Sequence, residues 1–152
     1  MSEWHINWQN KFPEHFIEIP IGPHRADAIT TSGHVVEFQH SALSIDEIGE
    51  RERFYGERMV WVWDAVDAED SGRLDIRRWE NKTPNYRTFR WKHARKSIGY
   101  CARPVFLDIG HDRLLHLGLI GQEAPVGGWG MLVSHAEFIA RALADNTPGS
   151  QA

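Results

Sequence analysis

Three residues carry the chemistry this sequence offers: Asp27, Glu37 and Gln39. They lie within His24 to Ser41, HRADAITTSGHVVEFQHS. That stretch reads as two strands, about His24 to Thr30 and about His34 to Ser41, joined by a turn at Thr31, Ser32 and Gly33. Glycine supplies the positive φ that a tight hairpin needs. Side chains alternate faces along a strand, so Val36 and Phe38 point one way, and Val35, Glu37, Gln39 and Ser41 the other. An acid and an amide then stand together, a short distance from Asp27 on the neighbouring strand. Such a pair of carboxylates suits a hard divalent cation. Mg²⁺ (or Mn²⁺) prefers oxygen ligands, takes few from protein and keeps positions open for water and phosphate. Taken singly, an Asp before a hairpin is usually a turn residue and a Glu in a strand usually faces water; the pairing favours the metal.

Here the chain resembles a family. Asp27, a hairpin and then Glu37-Phe38-Gln39 is similar to the PD-(D/E)xK nuclease core, and more closely to the nuclease domain of competence protein CoiA-like proteins. The matching string is His24-Arg25-Ala26-Asp27, then Glu37-Phe38-Gln39-His40-Ser41, Arg51 with Tyr55, and Val60-Trp61-Val62-Trp63, with Glu3-Trp4-His5 and Trp8 before it. It covers about residues 3–64, and 87–110 loosely. The resemblance implies a restriction-endonuclease-like α/β fold and an Mg²⁺- or Mn²⁺-dependent nuclease. Asp27 and Glu37 would ligate the metal, Gln39 would orient the attacking water, and Arg51, Tyr55 and Lys92 would hold the scissile phosphate. Glu3 or His5 would reach the site from the first helix. The departure is Gln39, where the wider superfamily commonly has Lys: an amide orients a water but adds no positive charge.

The elements that must position these residues are legible in outline. Ser2 is placed to cap a helix of about Glu3 to Phe12, with Trp4, Trp8 and Phe12 as its buried stripe and Pro13 as its stop. His5 lies on the flank of that stripe, where it reads as a core-edge histidine as readily as a site residue. His15 to Ile21 reads as a strand, with Glu18 either a further acid at the site or solvated. Ser44-Ile45-Asp46-Glu47 is a capping box that starts a helix to about Tyr55, stopped by Gly56. Glu47, Arg51 and Tyr55 share one face at i, i+4 spacing, as a surface ion pair or as a phosphate contact beside Glu37. Met59 to Trp63 is a strand, and strand–helix–strand implies a parallel crossover.

Beyond residue 64 the expectations are coarser. Asp64 to Gly72 reads as a loop, Arg73 to Trp79 and Thr88 to Lys92 as strands, and Ala94 to Tyr100 as a helix. Pro104 to Ile109 and Arg113 to Ile120 form a second hairpin around Gly110-His111-Asp112. Gly127 to Gly130 reads as a flexible turn, Val133 to Ala144 as a closing amphipathic helix, and 145–152 as a frayed end.

The 152 residues suit one domain, residues 1–152, with a core of about 3–64 and an accessory segment of about 73–144. The apolar share of 41% and charged share of 25% are those of an ordinary globular protein. No apolar run approaches the length of a membrane span, and the first residues lack the basic and apolar regions of a signal peptide. Cys101 is alone, which excludes an internal disulfide and a thiolate zinc site and points to a reducing cytoplasm. The net charge of −4 is unevenly spread. Arg73 to Arg103 holds ten of the seventeen basic residues against Asp75 and Glu80. An acidic metal-holding half and a basic half suit an enzyme acting on a polyanion, with DNA as the expected partner. Arg90, Lys92, Arg95 and Lys96 are its candidate contacts, and interleaved Trp79, Tyr86, Phe89 and Trp91 offer stacking faces or alternate core positions. The alternative is a non-catalytic nucleic-acid-binding or regulatory module with a degenerate nuclease site.

Overall fold

The Ser2 hydroxyl accepts the amide of His5 and opens α1 (Glu3–Gln9), with Glu3 in the first turn, where the helix dipole favours an acid. This computed structural model describes residues 1–80, 83–94, 96–123 and 126–144, and the backbone alone of Lys96. The expected stripe holds: Trp8 and Phe12 are buried, with Phe12 in the turn beyond the helix end, and Trp4 packs against the same cluster. After a 3-10 turn at Glu14–Phe16 come β1 (Ile17–Ile21), β2 (His24–Ile29) and β3 (Val35–Gln39). Gly33, at φ 82°, makes the β2–β3 turn. The Ser44 hydroxyl accepts from the Glu47 amide and starts α2 (Ile45–Tyr55), which Gly56 ends at φ 71°. The Ser44 hydroxyl in turn donates a hydrogen bond to Glu47 Oε1 at 3.1 Å. Then comes β4 (Met59–Asp64), parallel to β3 as the crossover requires.

The remaining elements are α3 (Val66–Asp70), β5 (Leu74–Arg78), β6 (Tyr86–Trp91), a 3-10 stretch at Lys96–Tyr100, β7 (Val105–Gly110), β8 (Arg113–Ile120), β9 (Val126–Ser134) and α4 (His135–Ala142). Among the described residues nine strands form one mixed, mostly antiparallel sheet, in the order β1-β2-β3-β4-β7-β8-β9-β6-β5. Among the described strands only β3–β4 and β4–β7 pair in parallel. The basic β5–β6 hairpin is therefore no appendage. It is the far edge of the same sheet, joined through the last strand. The sheet curls, so that Leu74, Phe89 and Trp91 of this hairpin share one core with Ala26, Val35, Trp61 and Trp63. On the other face α1 and α4 cover Val36, Phe38, Val62 and Leu114.

Four expectations are corrected. The stretch 64–72 contains α3, because the Asp64 carboxylate accepts the Val66 amide and Ala65 and Ala68 are buried. Gly127 to Gly130 is not a turn but part of β9. A Cβ on Gly128 would strike the Leu119 carbonyl, and one on Gly130 would lie 2.6 Å from the His116 carbonyl, so these glycines permit close strand approach. The closing helix begins at His135: Val133 still pairs with Leu114, and the Ser134 hydroxyl caps by accepting from Glu137. The helix expected over 94–100 is the 3-10 stretch. The tail 145–152 lies outside the described residues. Among those described, no helix is long and apolar enough to cross a membrane.

Asp108 on β7 locks the layers together. It is 3% exposed and accepts from the indoles of Trp4 and Trp8 at 2.8 and 3.0 Å and from the Gly110 amide at 3.0 Å. It also lies 2.9 Å from His135 Nε2. Burial pushes this carboxyl up, but the bonds from His135, Gly110 and Trp4 outweigh it and hold it below its usual range.

Candidate metal centre

The β2–β3 ladder pairs Ala28 with Val36 and Ile29 with Val35, and then the strands part. Where the next backbone bonds would lie, carboxylates fill the gap. The Asp27 amide donates to Glu37 Oε2 at 3.1 Å, and the Phe38 amide donates to Asp27 Oδ2 at 2.8 Å. Each acid thus spends one oxygen on the opposite strand. Asp27 Oδ1 faces His5 Nε2 at 3.4 Å, and Glu37 Oε1 faces Arg51 Nη1 at 4.0 Å. The fold brings together Asp27, Glu37, Gln39, Arg51, Tyr55 and His5, drawn from β2, β3, α2 and α1.

The electrostatics follow from this crowding. Glu37 is 4% exposed. Burial first, and then the Asp27 charge, push its carboxyl up to about 8, against the opposing pull of the Asp27 amide and Arg51. Burial, followed by the negative charge of Glu37 and Asp27, likewise pushes the Tyr55 phenol up to about 12. Tyr55 is therefore an O–H donor at neutral pH. The Gln39 amide is engaged at both ends: Nε2 donates to the Ser41 carbonyl at 2.7 Å, and Oε1 accepts from Arg51 Nη1 at 3.4 Å. The Arg51 guanidinium thus turns inward to the strand.

These groups fit a divalent cation. Each acid keeps one oxygen outside the backbone pairing, Asp27 Oδ1 towards His5 and Glu37 Oε1 towards Arg51. Burial and the Asp27 charge raise the Glu37 carboxyl, a rise that a bound cation would relieve. His5 Nε2 is buried and makes no hydrogen bond, although it lies within ion-pair distance of Asp27. Oxygen donors match Mg²⁺ or Mn²⁺.

The other expected residues lie apart. Glu3 is exposed in the first turn of α1 and joins none of these contacts. Arg90 and Lys92 are exposed on and just past β6, at the far edge of the sheet. Arg95 and the Lys96 side chain lie outside the described residues.

Sequence reasoning missed Gln9. It is 5% exposed, and its Nε2 donates at 3.0 Å both to the Asp27 carbonyl and to Glu18 Oε1. Glu18 takes φ 52°, a strained conformation for a residue with a side chain, directly beside the parted strands. The signal for Gln9 was present, because it follows His5 by four residues and so shares its helix face. A second group, Glu69, Asp70 and His111, brings ligand atoms within 4.8 Å of one another on the surface, at the tip of the β7–β8 hairpin and the end of α3. Comparison with protein-family models, with curated proteins and with solved structures gives no match for this chain.

Proposed function

We propose that this protein is a metal-dependent nuclease that hydrolyses DNA phosphodiesters, with Asp27 and Glu37 as its Mg²⁺ or Mn²⁺ ligands. The observation that carries the reading is the parted β2–β3 hairpin. Two acids sit there with one oxygen each left over, and Glu37 is held protonated by burial and by its neighbour. Arg51 reaches Glu37 Oε1 only at 4.0 Å, the outer limit of an ion pair, and its pull on that carboxyl is weaker than burial and the Asp27 charge. Support also comes from order. The first helix, the Asp-hairpin-Glu unit, the helix with Arg51 and Tyr55, and a parallel aromatic strand follow one another as the resemblance to a PD-(D/E)xK, restriction-endonuclease-like core implies.

Bound between these acids, a divalent cation supplies Lewis-acid activation of water and phosphate. The chain's own residues do the rest. Arg51 holds a phosphate oxygen, and Tyr55, kept as an O–H donor, holds another. Gln39 fixes Arg51 and orients the attacking water. His5 packs edge-on against Phe38, at 5.8 Å between ring centroids, and keeps Asp27 Oδ1 facing the site. Gln9 holds the Asp27 backbone.

One observation favours a second reading, a non-catalytic nucleic-acid-binding module. Gln39 stands where a Lys is common, and its NH₂ group is already bonded to Ser41. The test is single-turnover incubation of labelled single-stranded and duplex DNA with Mn²⁺ or with chelator, wild type beside Glu37→Gln. The nuclease reading expects cleavage that needs the metal and disappears in the variant. A wild type that binds DNA and cleaves nothing with either Mg²⁺ or Mn²⁺ would leave the binding module as the function.

A further inference from the structure

Immediately past Gln39 the chain enters a cleft of about 300 Å³, lined by His40, Asp64, Asp67, Ala68, Arg73, Trp91 and His93. It lies outside the carboxyl ends of the parallel strands β3 and β4, where α/β sheets commonly receive ligands, and the curl of the sheet closes it with the end of β6. Three of its walls are rings. His40 is held at the mouth by Asp64, whose Oδ2 lies 2.8 Å from Nδ1, and by Trp4, whose ring centroid is 6.3 Å away. Trp91 belongs to the core and lines the interior. His93, exposed and at a strained φ of 54°, also lines the cleft.

We propose that this cleft receives one base of a single-stranded nucleic acid whose backbone passes the Asp27–Glu37 pair. The inference rests on the nuclease reading for the path of the strand. Chemistry selects the ligand class. The half-buried Asp64 carboxylate disfavours a phosphate in the cleft, while the exposed Asp67 pairs with Arg73 at 3.2 Å. The exposed rings of His40 and His93 offer stacking, and the Asp64 carboxylate and the Arg73–Asp67 pair offer acceptors and donors beside them, as a planar heterocycle with a polar edge requires. The volume lies at the lower limit for small-ligand pockets; it admits one base and not a base pair. The distance also suits this: His40 follows Glu37 by three residues, just past the end of β3, roughly 10 Å of extended chain, so the base belongs to a nucleotide near the one cut.

The test uses equilibrium anisotropy in chelator, where cleavage plays no part. The probes are a labelled oligothymidylate, the same backbone made abasic, and a hairpin duplex. Wild type is expected to bind the intact strand about tenfold or more tightly than the abasic one, the scale of one stacked base, and more tightly than the duplex. In His40→Ala/His93→Gly the intact strand should bind no better than the abasic strand. Glycine suits the His93 backbone and His40 is exposed, so this variant should fold, as its melting curve will show. Equal binding of intact and abasic strands by wild type, or an unchanged preference in the variant, would overturn the cleft. Base-dependent binding without any Mn²⁺-dependent cleavage would leave the cleft standing and remove the nuclease reading. Cleavage without base-dependent binding would do the reverse.

Discussion

Glu37 Oε2 accepts the amide of Asp27 at 3.1 Å, and Asp27 Oδ2 accepts the amide of Phe38, the residue after Glu37, at 2.8 Å. The two acids are therefore built into the backbone pairing of β2 and β3, and neither can swing away to relieve its repulsion of the other. Gln9, whose amide also donates to Glu18 on the adjoining strand, keeps the Asp27 backbone in place. The consequence is a carboxyl at Glu37 that resists ionisation.

That consequence has a definite pH signature. The folded value of about 8 lies above the ordinary 4.5, so between those limits the folded protein holds a proton that the unfolded chain has lost. Metal-free stability should fall as pH rises through this window. Glu37→Gln, which cannot ionise, should melt several degrees above wild type at the alkaline end and close to it at about pH 4.5. Thermal melts of both proteins in chelator check this. A constant difference across the range would mean that Glu37 is not the group responsible.

Asp108→Asn should destabilise the protein by about 1.5–3 kcal/mol, the scale of hydrogen bonds to a charged group. Two indoles, an amide and His135 all converge on the one carboxylate, and an Asn amide presents its own donors to some of them. The Asp108 carboxyl is held below its usual range, so its contribution is present above the unfolded value and is lost as pH falls through the folded one. Urea unfolding at neutral pH and in acid should find the penalty shrinking in acid. A penalty equally large in acid would assign the loss to packing.

Gln39→Ala should lower single-turnover cleavage by about tenfold or more while leaving Mn²⁺ affinity near that of wild type. Gln39 touches Arg51 and Ser41 and neither carboxylate. Glu37→Ala should lose both. Metal titration beside cleavage for each variant separates the two effects. Cleavage by Gln39→Ala at the wild-type rate would show that the amide neither orients the water nor positions Arg51.

The sequence made the centre legible because its signals are local. The hairpin at Gly33, the alternation that puts Glu37 beside Gln39, the cap at Ser44 and the i, i+4 pair Arg51 and Tyr55 all act within a few residues, and each appears in the fold. The parting of the strands at Asp27 was not legible, because it depends on two amides choosing carboxylates over carbonyls. Asp108 was hidden for a related reason. Its partners Trp4 and Trp8 lie 104 and 100 residues away, and no periodicity joins them. The glycines of β9 misled in the opposite direction. Gly127 to Gly130 has the composition of a turn, but the crowding that requires it comes from Leu119, His116 and Phe89 on neighbouring strands.

Whether Asp27 and Glu37 hold a metal is measured directly by calorimetric titration with Mn²⁺ at pH 7, repeated in two buffers of different ionisation enthalpy. Wild type should bind Mn²⁺ and release about one proton per ion, the proton of Glu37, with affinity rising as pH is brought up to about 8. Glu37→Gln should show no such site. A wild type that takes up no Mn²⁺ at millimolar concentration, or a Glu37→Gln variant that binds it as well as wild type, would contradict the account.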